Sequence, residues 1–266
     1  MLENPRAADV KRVARLSTRN ERLETGLFLV EGPQAVLEAL RMRPDLIEEL
    51  YVTPTAWERH PELAEACTSA EVESEFASEE VIVAMSDTVT PQGVIAVCRQ
   101  FPVSVRKIFD EGVKLVAVLE EVRDPGNAGT IIRAADAAGA DAVVLTGRSV
   151  DLYNPKVVRS TTGSLFHIPV AVGADLKDVV SRARAAGITV IAADVAGEDL
   201  LEARKAGTLA GATAWVFGNE ARGLTADDLE LVDRSLRVPI YGEAESMNLS
   251  TAASVCLYES AFAQQD

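Results

Sequence analysis

The sequence predicts an α/β protein built as a small α/β module followed by a larger α/β module with a mainly parallel sheet. Three observations predict it. Strand-like and helical stretches alternate along the chain. The apolar runs of the second part, such as residues 116–119 and 143–145, are continuous rather than alternating, as in parallel strands covered on both faces. A polar stretch over about 101–112 separates the two parts, and 266 residues suit one large domain or two ordinary ones.

Taken in order, residues 5–23 read as a helix and 27–30 as a short strand. A helix follows over 34–42, opened by Gly32-Pro33, since proline suits the first helical position. Residues 47–53 are strand-like, 56–67 helical and 71–76 a short strand. Ser78-Glu79-Glu80 signals a helix start before 81–85, and 94–97 is a further strand. Beyond the linker, strands are expected at 115–122, 142–146, 167–172, 188–193, 213–217 and 236–240. Helices are expected at 128–138, 155–161, 176–186, 226–232 and 248–262. The predicted domains are 1–104 and 105–266. Periodicity alone gives a doubly wound sheet without a knot, because chain threading is nearly absent among folds.

Composition narrows the function. No apolar run approaches the ~18 residues of a membrane span, and the start lacks the basic-then-apolar layout of a signal peptide. A cytoplasmic protein without membrane contact is expected. Cys67, Cys98 and Cys256 are scattered, so neither a disulfide framework nor a metal site is expected. His60 and His167 are the two histidines, which argues against a histidine relay. The net charge of −15 is unusual for a nucleic-acid binder, but it is uneven. Residues 44–80 hold eleven acids and one base, whereas the first 22 residues hold six bases and three acids. Arg12, Arg15, Arg19 and Arg22 in that strip are candidate RNA contacts, against the alternative of a solvated helix face. Arg148, Lys156 and Arg159 form a sparser basic set.

Three stretches carry the chemistry. The first is Asn127-Ala-Gly129-Thr-Ile-Ile-Arg133, the second Gly218-Asn219-Glu220-Ala-Arg222-Gly223-Leu224, and the third Val238-Pro239-Ile240 with Ser246-Met247-Asn248-Leu249-Ser250. Each alone has little specificity; the ordered set carries the signal. In this order, behind a separate N-terminal region, they resemble the three motifs of the SpoU (TrmH-type) RNA ribose 2′-O-methyltransferases of the SPOUT superfamily. The phrases GLFLVEG and TPQGVIAV in the first module resemble the RNA-binding substrate domain of such enzymes.

The resemblance implies a deep trefoil knot at the C-terminus, S-adenosylmethionine as methyl donor, no metal, and a homodimer through the C-terminal domain. The apolar last helix, with Leu249, Ala252, Ala253, Val255, Leu257 and Phe262, fits such an interface. It implies catalytic roles for Asn127, Arg133, Glu220, Ser246 and Asn248. Backbone around Gly218, Val238, Ile240, Met247 and Leu249 is implied to hold the donor. The resemblance points to ribosomal RNA as substrate, with transfer RNA or a non-catalytic RNA-binding adaptor as alternatives.

Each of these residues also has a plain structural reading. Arg133 could pair with Asp136 at i,i+3 on a solvated helix face. Asn127, and either Ser246 or Asn248, could be helix N-caps. Gly218 to Gly223 could be a polar turn, and Arg222 an RNA contact or the ion-pair partner of Glu220. A nicotinamide-binding Rossmann domain fails on spacing, because Gly126-Asn-Ala-Gly129 is not G-x-G-x-x-G.

Overall fold

The computed structural model describes residues 1–109 and 112–265. Asp110 and Glu111 of the predicted linker lie outside the described residues.

The chain forms two compact units. The first contains α1 (Ala8–Arg15), α2 (Arg19–Thr25), β1 (Leu27–Glu31), α3 (Pro33–Met42), a 3-10 turn, β2 (Ile47–Val52), α4 (Pro54–Arg59), α5 (Pro61–Ala70), β3 (Glu75–Phe76), α6 (Glu79–Met85) and β4 (Val94–Arg99). Its sheet has the order β1-β4-β2-β3. The strand pairs are antiparallel except β2 with β3. Two expected helices are each broken into two. The 5–23 helix breaks at Leu16–Thr18, and Pro61 interrupts the 56–67 helix, because proline fits only the start of a new one. On one face of the sheet α1 and α6 bury Val10, Val13, Ile82 and Met85 against Leu29, Tyr51, Ile95 and Val97.

The second unit begins with α7 (Val105–Ile108), inside the predicted linker, and continues through β5 (Leu115–Glu120), α8 (Pro125–Ala137) and β6 (Ala142–Thr146). After α9 (Pro155–Thr161) come β7 (Val170–Ala174), α10 (Leu176–Ala185), β8 (Thr189–Asp199), α11 (Leu200–Lys205), β9 (Thr213–Phe217), α12 (Ala226–Leu231), β10 (Arg234–Arg237) and α13 (Leu249–Gln265). The six strands are all parallel, in the order β10-β8-β9-β5-β6-β7. Alternate residues bury opposite faces. Val116, Val118, Val144, Val190 and Val216 pack with α10 residues such as Val179 and Val180. On the other face α8, α11 and α13 cover the sheet, and Trp215 donates its indole N–H to Ser260 Oγ at 2.9 Å.

The leading segment of the first unit ends at Phe101, near the expected boundary at residue 104, but the unit also takes in a later segment. Residues 151–167, including α9, belong to the first unit. Tyr153 and Phe166 join Phe28 and Phe101 in one aromatic cluster, and Arg22 binds Asp151. Burial of these rings outweighs proximity along the chain.

Candidate active site

In the second unit, β5 connects onward to β6 on one side, while β9 pairs with β5 on the other. Ligands of doubly wound sheets bind outside the carboxyl ends of the strands at such a reversal. The segments after β5 and β9 meet there, and all three sequence motifs converge on it.

The first motif opens α8. Asp124 and Pro125 set the helix start, and the Asp124 carboxylate accepts the backbone N–H of Asn127 at 2.8 Å. Asn127 is therefore not the N-cap that its type suggested; it lies in the first turn, where its side chain serves other contacts. Its Nδ2 donates to Glu220 Oε1 at 3.4 Å, and its Oδ1 accepts from Asn248 Nδ2 at 3.0 Å. The cap is Asp124, and the Asp-Pro pair before an apolar stretch is the start signal that marks it in the sequence. Arg133 lies exposed on α8, two turns further on.

The second motif follows β9 as a closed turn. Gly223 N–H donates to the Asn219 carbonyl at 2.8 Å, and Asn219 Nδ2 donates to the Glu121 carbonyl at 2.8 Å. Gly218 is required by packing: a Cβ there would lie 2.6 Å from the Gly223 carbonyl carbon and 2.7 Å from the Leu224 nitrogen. Glu220 reaches back to the β5–α8 loop and accepts the backbone N–H groups of Arg123 at 3.1 Å and Asp124 at 3.0 Å. Arg222 pairs with Glu121 at 2.8 Å rather than with Glu220, which is turned toward those backbone donors. At the end of β5, burial holds the Glu120 carboxyl above the usual carboxylate range. Repulsion from Asp228, Glu121 and Asp175 adds to this, and the Thr146 hydroxyl opposes it by donating at 2.5 Å.

The third motif joins β10 to α13. Asn248 caps α13, its Oδ1 accepting the N–H of Ser250 at 3.0 Å and of Thr251 at 3.3 Å. Capping and contact with Asn127 use opposite ends of one amide. Ser246 is exposed and does not cap. Val238, Met247 and Leu249 are partly buried and Ile240 is exposed. Among the described residues, no backbone–backbone hydrogen bond involves residues 240–247. Residues 240–246 are exposed, so their peptide groups face solvent.

The first unit treats its predicted RNA contacts differently. Arg15 and Arg19 are exposed. Arg12 is half-buried and donates to Glu49 at 2.8 Å, a hydrogen bond that raises its own pKa. Burial pulls Glu49 upward, but hydrogen bonds from Arg12 and Tyr51 outweigh it and leave the carboxyl below its usual range. Arg22 is a correction. Its side chain is 2% exposed, bonded to Asp151 at 2.6 Å and to the carbonyls of Leu16 and Ser17 at 2.8 Å, so it is a structural residue with no surface to offer RNA.

Among the described residues no group of three or more His, Cys, Asp or Glu side chains is placed to hold a metal ion. No described helix is long and apolar enough to cross a membrane.

Residues 114–258 match the SpoU rRNA Methylase family, and residues 29–103 match the RNA 2′-O ribose methyltransferase substrate-binding family. The chain belongs to the SpoU rRNA methylase family. A relative from Bacillus subtilis, the 23S rRNA (guanosine(2553)-2′-O)-methyltransferase RlmP, is 36% identical over 97% of this chain and 97% of its own length. A 23S rRNA (uridine(2479)-2′-O)-methyltransferase from Streptomyces viridochromogenes is 30% identical over 92% of this chain and 86% of its own. The fold is likewise that of SpoU enzymes. An AdoMet-bound rRNA methyltransferase from Sinorhizobium meliloti superposes with a TM-score of 0.83 at 31% identity, covering 97% of this chain and 96% of that one.

Proposed function

We propose that this SpoU methylase transfers a methyl group from S-adenosylmethionine to a ribose 2′-hydroxyl of 23S ribosomal RNA. The observation that carries the reading is the Asn127 side chain held between Glu220 and Asn248, which joins all three motifs at one point. Bound there, the donor supplies an electrophilic methyl on a sulfonium. The protein's part is placement and charge. Glu220 fixes the β5–α8 loop through two backbone N–H groups, and thereby fixes Asn127. The Asn127 amide orients the ribose. Arg133 stabilises negative charge developing on the 2′-oxygen; it does not act as a base, because a guanidinium keeps its proton. Gly218, Val238, Ile240, Met247 and Leu249 hold the donor through backbone groups, and Ser246 lines the pocket.

Residues 1–104 supply RNA affinity, with Arg12, Arg15 and Arg19 as its basic strip, and residues 105–266 supply catalysis. The part of α13 left uncovered supports a homodimer, since Tyr258 and Phe262 remain 37% and 49% exposed. The knotted passage of the last segment is proposed from membership of the SpoU family alone. A ribosomal substrate supports a cytoplasmic location.

The test compares methylation of 23S rRNA by wild type and Arg133→Ala, with mass-spectrometric mapping of the modified nucleotide. Loss of one oxyanion-stabilising group is expected to lower turnover about 100-fold, with donor binding retained. Wild-type protein that transfers no methyl to 23S rRNA, or an Arg133→Ala variant that is as fast as wild type, overturns the reading.

A further inference from the structure

Glu121 lies one residue beyond β5 and has left-handed backbone geometry, with φ at 50°. Non-glycine residues rarely adopt it; the other two described residues that do, Glu71 and Thr162, are helix C-caps, whereas Glu121 caps no helix. The fold makes room for the side chain: a Cβ on Gly147 would lie 2.9 Å from Glu121 Cγ. The Glu121 side chain is 17% exposed, and one of its oxygens, Oε2, takes both Arg123 at 3.0 Å and Arg222 at 2.8 Å. The two arginine side chains are themselves 58% and 52% exposed.

Ion pairs between groups this exposed add little stability. The Glu121 backbone is held by other bonds, its carbonyl accepting from Asn219 Nδ2 at 2.8 Å and its N–H donating to the Thr146 carbonyl at 3.4 Å, so the ion-pair arrangement adds little to the fold. What it achieves is placement. Two cations that would repel each other are gathered on one anion, and each fork keeps N–H donors in solvent. The trio carries one net positive charge. The neighbouring carboxylates accept backbone donors, Asp124 from the N–H of Asn127 and Glu220 from the N–H groups of Arg123 and Asp124, while both residues stay exposed. The guanidinium pair thus stands at the rim of the Asn127–Glu220–Asn248 site, in a protein whose overall charge is −15.

We infer that Arg123 and Arg222 form a two-pronged clamp for an RNA phosphodiester next to the target ribose, and that Glu121 is the positioning residue that sets the clamp. The inference rests on the methyl-transfer reading of the adjacent site. A phosphodiester carries one negative charge and two free oxygens, which matches a paired fork.

The test uses the full chain and a 23S rRNA fragment that the wild type methylates. Three variants are compared: Glu121→Gln, Glu121→Gly and Arg123→Ala. Glu121→Gly relieves the left-handed strain while removing the carboxylate, so stability and function should part. Its Tm is expected to be equal to or above wild type, while KM for RNA rises about five-fold or more and kcat at saturating RNA stays within about two-fold. Glu121→Gln should show the same KM increase. Arg123→Ala should weaken RNA binding and lower the salt dependence of log K by about 0.7, the contribution of one phosphate on a single strand. Wild-type KM in both Glu121 variants, or an unchanged salt slope in Arg123→Ala, overturns the clamp. Asn127→Ala separates this failure from failure of the parent reading. If it abolishes transfer while the Glu121 variants behave as wild type, methyl transfer stands and the clamp falls.

Discussion

Asn248 donates from Nδ2 to Asn127 Oδ1 at 3.0 Å, across 121 positions of sequence. The same Asn248 amide caps α13 with its oxygen. Cap and site are thus one group, and a change at either end can be read separately. Asn248→Asp keeps the capping oxygens and removes the donor. It should leave the melting temperature within a few degrees of wild type while lowering kcat about 5- to 150-fold, the range for one lost hydrogen bond of about 1–3 kcal/mol. Asn248→Ala should lose both, with a further ~1 kcal/mol of stability from the missing cap. Equal activity of Asn248→Asp and wild type would make the contact with Asn127 incidental. Stopped-time methylation assays and thermal denaturation on the same preparations decide.

Arg22 and its neighbours on the basic strip should separate cleanly. Arg22→Ala leaves Asp151 without its partner, a change that costs about 3 kcal/mol or more when an ion pair this buried is broken. Arg15→Ala and Arg19→Ala, at exposed positions, should leave stability within ~0.5 kcal/mol. Urea unfolding of the three variants tests this; an Arg22→Ala midpoint equal to that of Arg15→Ala contradicts the structural role.

The composition of the first unit makes a prediction about fragments. Residues 1–104 alone lack Tyr153, Phe166 and α9, which belong to that unit. The isolated fragment should lack a cooperative thermal transition, since Phe28 and Phe101 lose the rings that cover them. Circular dichroism on residues 1–104 checks it, and a sharp two-state melt would show that the inserted segment is dispensable.

The buried thiols give a pH dependence. Burial pushes the Cys256 thiol up to about 12 and the Cys98 thiol further upward. Below ~8.5, the ordinary thiol value, both states keep their protons and the stability is complete. As pH rises from there toward 12, the unfolded chain loses protons that the folded one retains, so stability falls. Urea midpoints from pH 8 to 10 should decline, and less steeply in a Cys98→Ala/Cys256→Ala variant. At pH 8 a thiol reagent should label both residues only after unfolding; equal rates in native buffer and in urea would contradict the burial.

Most elements of the second unit are legible in the sequence because continuous apolar runs leave few alternatives to buried parallel strands. Residues 142–146 and 213–217 coincide with β6 and β9, and in the first unit 155–161 coincide with α9. Element ends are less legible. The α8 start depends on Asp124 and Pro125, four residues before the first apolar signal, and α11 was missed because six residues carry too little periodicity to see. The 71–76 strand shrinks to Glu75–Phe76, because its pairing with β2 spans two residues. Arg22 shows the limit of charge patterning: a basic strip in the sequence does not say which of its members turns inward.

By itself the sequence determined the parallel α/β class and the three motifs with their residue types, because each depends on local pattern. Only the tertiary structure decided what those residues touch. It assigned residues 151–167 to the first unit, turned Arg222 to Glu121 instead of Glu220, and used Asn248 as both cap and link. Such contacts depend on strand order and on which rings and charges can be buried together. These are long-range terms that no window of sequence contains.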